Sequence, residues 1–222
     1  MLSNRTPSFR SKTLRAAVAA ALLAGAAAAQ ASTVTLSSWT FGSGNAVNAS
    51  SPVYSGQAGG FSGTLDGQAL QTYCVELTQV FYWGTAYNNY TDVSAASYFG
   101  GADNKADKLG RLLSYVADTA GAVDTSAEST SLQLAIWNVV YDTDYTLAAH
   151  TGATFSDISA YAAYATTLLT NSQSWANTMD VRVLSSPTAQ DQLHWSRVPE
   201  PASLALVSLA LGAAGFVRRR RA

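Results

Sequence analysis

Residues 104–117, with the sequence NKADKLGRLLSYVA, mark the point at which the spacing of the apolar residues changes along this chain. Asn104 is placed to cap a helix that begins here. The apolar residues of the stretch recur at helical spacing and form one stripe, which consists of Leu109, Leu112, Leu113 and Val116. The chain therefore changes from strand-like to helical patterning at this point.

The segments before residue 104 are rich in glycine, serine and threonine. Alternating apolar residues predict strands at 33–41, 60–65 and 70–77, which are separated by glycine turns. Two further strands are predicted near the end of the domain, at 179–184 and 192–196.

Two more helices are predicted after the first. Thr125 and Glu128 fit a capping box, in which the hydroxyl and the carboxylate satisfy each other's backbone donors, and this helix is expected to run to Tyr141. An alanine-rich helix is expected at 156–174. This order of elements predicts an α+β fold, an antiparallel β-sandwich or barrel-like sheet with a cluster of about three helices in the central to C-terminal part.

The N-terminus has the pattern of a secretory signal peptide. Several basic residues precede an alanine- and leucine-rich stretch at 16–29, and Ala29-Gln30-Ala31 is a small-x-small cleavage site. Cleavage between Ala31 and Ser32 is predicted, which divides the chain into a signal peptide at 1–31 and an exported domain at 32–198.

The C-terminal segment 199–222 has three parts. Pro199, Glu200 and Pro201 are followed by an uncharged apolar run of 16 residues at 202–217 and by the arginine cluster 218–221. An apolar run of this length spans a bilayer only marginally, since a spanning helix needs roughly 17 to 25 residues. The arginines favour a cytoplasmic C-terminus, which leaves the preceding domain outside the inner membrane.

This segment resembles the PEP-CTERM sorting signal of exported proteins of Gram-negative bacteria. The resemblance implies that an exosortase, a transpeptidase-like membrane enzyme, recognises the motif Pro199-Glu200-Pro201 and cuts near it. The protein would then be released or re-anchored at the cell surface or in the extracellular matrix, after transient anchoring through 202–217.

Charge and composition exclude several classes of function. Segment 32–198 carries five basic and thirteen acidic residues, a net charge of −8, so no nucleic-acid partner is expected. One cysteine and two histidines do not make a structural zinc site, so no metal is predicted. No phosphate-binding glycine loop or nucleophile elbow occurs, and neither a cofactor nor catalytic turnover is expected.

Cys74 is the single cysteine of a chain with an export signal, so an intramolecular disulfide is excluded. It lies in the stretch Tyr73-Cys74-Val75-Glu76-Leu77, and the predicted second helix contains Leu132-Gln133-Leu134-Ala135-Ile136-Trp137. This pair of stretches resembles the thioester domain of bacterial surface adhesins. The matching residues are Tyr73, Cys74, Gln133, Ala135, Ile136 and Trp137.

The resemblance implies a covalent bond between Cys74 and Gln133. Leu132 departs from the threonine that usually precedes the glutamine, and Ser131 supplies a hydroxyl one residue earlier. The alternative is a buried structural Cys74, with Gln133 facing solvent.

The chemistry of such a bond requires a thiolate, so a neighbouring base is expected to help. Glu76 is the nearest acid in sequence and shares a strand face with Cys74, where it either assists the thiol or is an ordinary strand residue. Aromatic residues lie between the two reacting residues and can form a lid, bind sugars by stacking, or pack in the core. They are Phe81, Tyr82, Trp83, Tyr87, Tyr90, Tyr98 and Phe99.

The sequence therefore predicts an exported surface or biofilm-matrix protein with an internal thioester for a single covalent attachment to an amine-bearing protein or polysaccharide. The alternative is a noncovalent structural or carbohydrate-binding matrix module without a thioester.

Overall fold

Ser32, the predicted first residue of the exported domain, is the first residue of strand β1 in the computed structural model of the chain. The structure describes residues 31–50, 52–142, 147, 155–156 and 158–199. The predicted signal peptide before Ala31, and Glu200, Pro201 and the apolar and arginine segments after them, lie outside the described residues.

Six strands in the described part of the chain close into an antiparallel barrel. They are β1 (Ser32–Trp39), β4 (Phe61–Leu65), β5 (Gln68–Cys74), β6 (Ala86–Ser94), β8 (Met179–Ser185) and β9 (Gln192–Arg197). Their order around the barrel is β1-β4-β5-β9-β8-β6, and β1 pairs with β6 to close it. The predicted fold class is confirmed, and the sheet is a barrel rather than a sandwich.

The three strands predicted for the first part of the domain correspond to β1, β4 and β5. The prediction placed the end of β5 at Leu77, but the strand ends at Cys74. Strand β5 pairs with β9 at two positions only, Tyr73 opposite Leu193 and Cys74 opposite Gln192. Cys74 is thus at the last paired position of its strand, where the chain leaves the sheet.

A second, three-stranded sheet was not predicted. It consists of β2 (Asn45–Ser50), β3 (Val53–Ala58) and the two-residue strand β7 (Phe155–Ser156), in the order β3-β2-β7. Its strands are built from small and polar residues that carry little β-propensity, as in the β2 sequence NAVNAS. Strand β6, with the sequence AYNNYTDVS, was also missed: it contains tyrosine, threonine and valine, but they do not alternate regularly with polar residues.

Four α-helices occur among the described residues. They are α1 (Ala95–Phe99), α2 (Lys105–Asp118), α3 (Ser126–Tyr141) and α4 (Ser159–Ser172). The last three correspond to the predicted helices, although α4 begins at Ser159 and not at the predicted residue 156. None of the helices in the described ranges is both long enough and apolar enough to cross a membrane.

The first predicted helix has the expected apolar face but not the expected cap. Leu109, Leu112 and Leu113 are buried. Asn104 occupies the N-cap position in a left-handed conformation, with φ of 53°, and its side chain makes no capping hydrogen bond. Asn104 therefore serves as a backbone turn before α2, and its side chain does not satisfy the helix N-terminus.

Helix α3 begins with the predicted capping box. The side chain of Thr125 accepts from the backbone N–H of Glu128, and the Glu128 carboxylate accepts from the backbone N–H of Thr125. Every residue from Ser129 to Val139 is buried, as expected for a helix that is enclosed on all sides. Because α3 runs through the interior, its polar side chains meet protein and not solvent.

Hydrogen bonds fix α3 against the second sheet and against α4. The hydroxyl of Thr130 donates to the backbone oxygen of Ala58 and accepts from the side chain of Asn45. On another side, Ser131 donates to the backbone oxygen of Tyr161 in α4. These contacts set the rotation of the helix, and so the direction in which Gln133 points.

Candidate functional site

The backbone N–H and carbonyl oxygen of Cys74 both form hydrogen bonds with the side-chain amide of Gln133. The backbone N–H of Cys74 donates to Oε1 of Gln133 at 3.1 Å, and Nε2 of Gln133 donates to the backbone oxygen of Cys74 at 2.8 Å. The Cys74 sulfur lies 3.4 Å from the same Oε1. Gln133 is fully buried, so its expected solvent exposure under the alternative is wrong, whereas the buried Cys74 of that alternative agrees with the structure.

This arrangement presents the amide of Gln133 to the sulfur in one orientation. Attack by sulfur on the amide carbon moves negative charge onto Oε1, and a donor already aimed at that oxygen stabilises the charge. The backbone N–H of Cys74 is such a donor. The geometry is suited to acyl transfer between the two side chains.

The Cys74 thiol is held in its protonated form. Burial raises the pKa of this thiol well above its usual range, the indole N–H of Trp137 opposes the rise, and the negative charge of Glu76 adds to it. A buried thiolate without a positive neighbour is unfavourable because its charge has lost its hydration. The thiol therefore needs a local acceptor for its proton before it can react.

Glu76 is engaged by other partners and does not contact the thiol. Its carboxylate accepts from the Thr78 hydroxyl at 2.8 Å and from the backbone N–H of Asp191 at 3.2 Å. Burial is the main cause that raises the pKa of this carboxyl. Glu76 thus holds the β8–β9 connection next to the site, and assistance to Cys74 stays a prediction.

The other residues of the two motifs position the pair. The Tyr73 hydroxyl lies 3.0 Å from Oγ of Ser129 on α3, which also accepts from the backbone N–H of Gly60. A side chain at position 60 would collide with the Tyr73 ring, so the close approach requires glycine. Ala135 and Ile136 are fully buried core residues.

Trp137 lies one helical turn after Gln133, on the same face of α3. Its ring stacks on Phe155 with centroids 5.8 Å apart and meets Tyr54 edge-on at 5.4 Å. Trp137 is therefore the central ring of a group of three contacting aromatic side chains beside Cys74.

Ser131 lies two residues before Gln133 in the motif, but its hydroxyl does not orient the Gln133 side chain. Its hydroxyl donates to the backbone oxygens of Ala127 and Tyr161. Orientation of Gln133 comes instead from the peptide groups of Cys74.

A cleft of about 220 Å³ leads from the surface to Cys74. Its lining includes a cluster of contacting rings, namely Trp39, Phe61, Phe81 and Trp83, and this cluster reaches the mouth at Trp83, which is 44% exposed. The remaining lining residues are Tyr54, Gln57, Gln79, Val80 and Gln190, besides Cys74 itself. None of these lining residues carries an amine or a formal charge.

Of the aromatic residues considered for a lid, for sugar stacking or for core packing, two line the cleft. They are Phe81 and Trp83, while Tyr90 and Tyr98 bind the β8–β9 connection through Gln190 and Asp191. Trp39, Phe61 and Gln190 were not predicted. They belong to no local motif. Pairing of β4 with β5 and of β1 with β4 brings Phe61 and Trp39 to the site, and Gln190 comes from the β8–β9 connection, 116 residues after Cys74.

Comparison with known proteins identifies the tail. Residues 197–221 match the model of the PEP-CTERM protein-sorting motif. Comparison with curated proteins and with solved structures finds no match to the chain. The matched segment is a sorting address, so the chain carries a PEP-CTERM protein-sorting motif and is an exported, exosortase-processed protein with a surface destination.

Proposed function

We propose that Cys74 and Gln133 form an internal thioester through which this surface protein attaches itself covalently to an amine-bearing protein or polysaccharide. The single observation that carries the proposal is the reciprocal hydrogen bonding of the Gln133 amide to the Cys74 peptide groups, with the sulfur 3.4 Å from Oε1.

Formation of the bond is balanced within the pair. The Cys74 sulfur bonds to the side-chain carbonyl carbon of Gln133, the bond from that carbon to Nε2 breaks, and the thiol proton ends on the departing nitrogen as ammonia. The backbone N–H of Cys74 donates to Oε1 while that oxygen carries charge. The high pKa of the thiol is compatible with this route because its proton acceptor is the leaving group.

Attachment reverses the roles. A primary amine of the partner attacks the same carbon, the bond to sulfur breaks, and the proton from the amine ends on the Cys74 thiol. The product is an amide between Gln133 and the partner. Because this amide does not regenerate the thioester, each protein reacts once, and we propose a covalent tether rather than an enzyme that turns over.

Burial supports the survival of such a bond. Cys74 and Gln133 are 3% and 0% exposed, and the cleft lined by Cys74 would be the route of a partner's amine to the bond. The exported domain has two lysines, Lys105 and Lys108, both on α2, and neither lines the cleft. Self-reaction of the thioester with the protein's own amines is thereby disfavoured.

A second candidate function is noncovalent binding of carbohydrate at the same cleft. Trp83 is 44% exposed where it lines the cleft, and its sequence neighbour Tyr82 is 69% exposed. Exposed rings with neighbouring amide groups, here Gln57 and Gln79, suit sugar stacking and hydrogen bonding. Under this function Cys74→Ala keeps full binding, whereas the covalent function loses capture completely.

The proposal is tested by exposing the purified protein to methylamine and mapping the products by peptide mass. A methylamide at Gln133 together with a Cys74 that becomes open to alkylation is the expected result. Two results together contradict the covalent function. The wild type gives no adduct, and its Cys74, once the protein is unfolded, is alkylated to the same extent with and without prior methylamine treatment. Cys74→Ala is the matched control, in which Gln133 has no thiol to activate it.

A further inference from the structure

Two buried polar atoms in the described part of the chain have no hydrogen-bond partner, and both belong to residues that neighbour Cys74. They are Nε1 of Trp137 and Oε1 of Gln192. A buried polar group without a partner costs about 1–3 kcal/mol, so native structures seldom contain one. One unpartnered donor and one unpartnered acceptor beside the same side chain call for a common explanation.

The indole N–H of Trp137 is on the sulfur side of the site. Trp137 lies four residues after Gln133 on α3, so both side chains extend from one helix face. Its N–H is near enough to the sulfur to favour the thiolate form of Cys74, yet no acceptor in the described residues meets hydrogen-bond geometry with it. A neutral thiol is a weak acceptor, whereas a sulfur that gains charge is a strong one.

Gln192 is the cross-strand neighbour of Cys74, which it faces directly between β9 and β5. Side chains at directly opposite positions share a face of the sheet, with Cβ atoms roughly 4.5–5.5 Å apart. The Gln192 amide is oriented by Gln190, whose backbone and side-chain oxygens both accept from Nε2 of Gln192. Since Nε2 must face these two oxygens, Oε1 is left as the free acceptor in a fully buried side chain.

We propose that the Trp137 N–H and the Gln192 side-chain oxygen act in the acyl transfer at Cys74 and Gln133. The N–H donates to the Cys74 sulfur while it carries negative charge, and the oxygen accepts a hydrogen bond from the nitrogen that leaves or enters the acyl carbon. This inference rests on the proposed thioester. It adds a leaving-group donor and an amine-binding acceptor to the oxyanion donor that Cys74 itself supplies.

The two roles separate when the nucleophile is changed. Methylamine brings an N–H that Gln192 can bind, whereas ethanethiol reacts as a thiolate and brings no hydrogen-bond donor. Both reagents expel the Cys74 sulfur, as amide plus thiol in the first case and as a new thioester plus thiol in the second. Gln192 should therefore matter for methylamine only, and Trp137 for both reagents.

The experiment uses purified protein whose mass shows that ammonia has been lost, and it follows the rate of reaction with each reagent. Gln192→Met is expected to slow methylamine roughly three- to tenfold and to leave the thiol reaction unchanged. Trp137→Phe is expected to slow both reactions roughly ten- to a hundredfold. Trp175→Phe and Gln173→Met, which change residues outside the cleft, are the matched controls and should react as the wild type does.

Any variant that has lost ammonia has folded well enough to form the bond, so slow reaction cannot be ascribed to misfolding. If the Trp137→Phe variant does not lose ammonia, benzothienylalanine is placed at position 137, because it keeps the ring shape and removes only the N–H. Rates within twofold of the wild type, or equal slowing of both reagents by Gln192→Met, would overturn the inference while leaving the thioester established. A wild type that retains its ammonia would instead overturn the proposed function, and this inference with it.

Discussion

The peptide group of Cys74 holds the side-chain amide of Gln133 from both sides, with the N–H of Cys74 3.1 Å from Oε1 and its carbonyl oxygen 2.8 Å from Nε2. The two residues are 59 positions apart in sequence and both are buried. A strand end and a buried helix thus meet at one amide. This contact fixes the orientation of the Gln133 amide at Cys74 and links two parts of the fold.

Closing the proposed thioester should stabilise the fold as a cross-link does. A covalent loop of this length restricts the unfolded chain, which is worth about 4 kcal/mol in the chain-entropy model. We expect the wild type to lose up to about that free energy of unfolding after methylamine releases the cross-link, as measured by urea denaturation. Cys74→Ala, which has no cross-link to release, should show the same urea midpoint before and after methylamine. Equal midpoints for treated and untreated wild type would contradict the prediction.

The free thiol should make stability fall at alkaline pH. Burial keeps the pKa of Cys74 raised in the folded chain, whereas the unfolded chain ionises its cysteine near pH 8.5. The unfolded state therefore loses its proton first, and above that pH the stability falls by about 1.4 kcal/mol per pH unit. The measurement is the free energy of unfolding of Gln133→Met, which cannot form the thioester, between pH 7 and 9.5.

The matched control for this pH series is the double variant Gln133→Met/Cys74→Ala. The range stops below pH 10 because buried tyrosines then contribute as well, as for Tyr73, whose pKa burial raises to about 12. Parallel pH profiles of the two proteins would show that ionisation of Cys74 does not set the decline.

The capping box should stabilise α3 without taking part in the chemistry. Thr125→Ala removes the acceptor for the backbone N–H of Glu128 and is expected to cost about 1 kcal/mol. Thr170→Ala, at an exposed position of α4, should change the stability by a few tenths only. Methylamine should still modify Gln133 in Thr125→Ala, and loss of that reaction would indicate that the cap also controls the site.

The ring cluster at the mouth should limit access to the thioester. Trp83 contacts Trp39, Phe61 and Phe81, so Trp83→Ala widens the cleft and is expected to speed both methylamine addition and spontaneous hydrolysis several-fold. Tyr82 is its more exposed neighbour and does not line the cleft. Tyr82→Ala should therefore react at the wild-type rate, and equal acceleration by both substitutions would argue against a lid at Trp83.

Local signals in the sequence predicted the elements that carry Cys74 and Gln133. The Thr125–Glu128 capping box identified the start of α3 to the residue, and the single cysteine with its flanking residues pointed to Cys74. Apolar periodicity found α2 through Leu109, Leu112 and Leu113. These signals act within a few residues, which is the range over which one sequence can be interpreted directly.

The parts of the site that depend on strand register could not be predicted. Gln192 faces Cys74 across a pairing between β9 and β5 that joins positions 118 residues apart. No sequence pattern near Gln192 indicates this pairing. The second sheet was missed because small and polar residues make up most of β2 and β3, with Val47, Val53 and Tyr54 as the larger apolar exceptions. Their role is to cover α3, which tertiary packing and not local propensity decides.

The intact mass of the purified protein tests the central claim most directly. The thioester predicts a wild-type mass lower than that expected from the sequence by one ammonia, a deficit that Cys74→Ala and Gln133→Met both abolish. A wild type with the full mass, and with Cys74 alkylated quantitatively after unfolding, would contradict the thioester and leave the cleft as a noncovalent binding site.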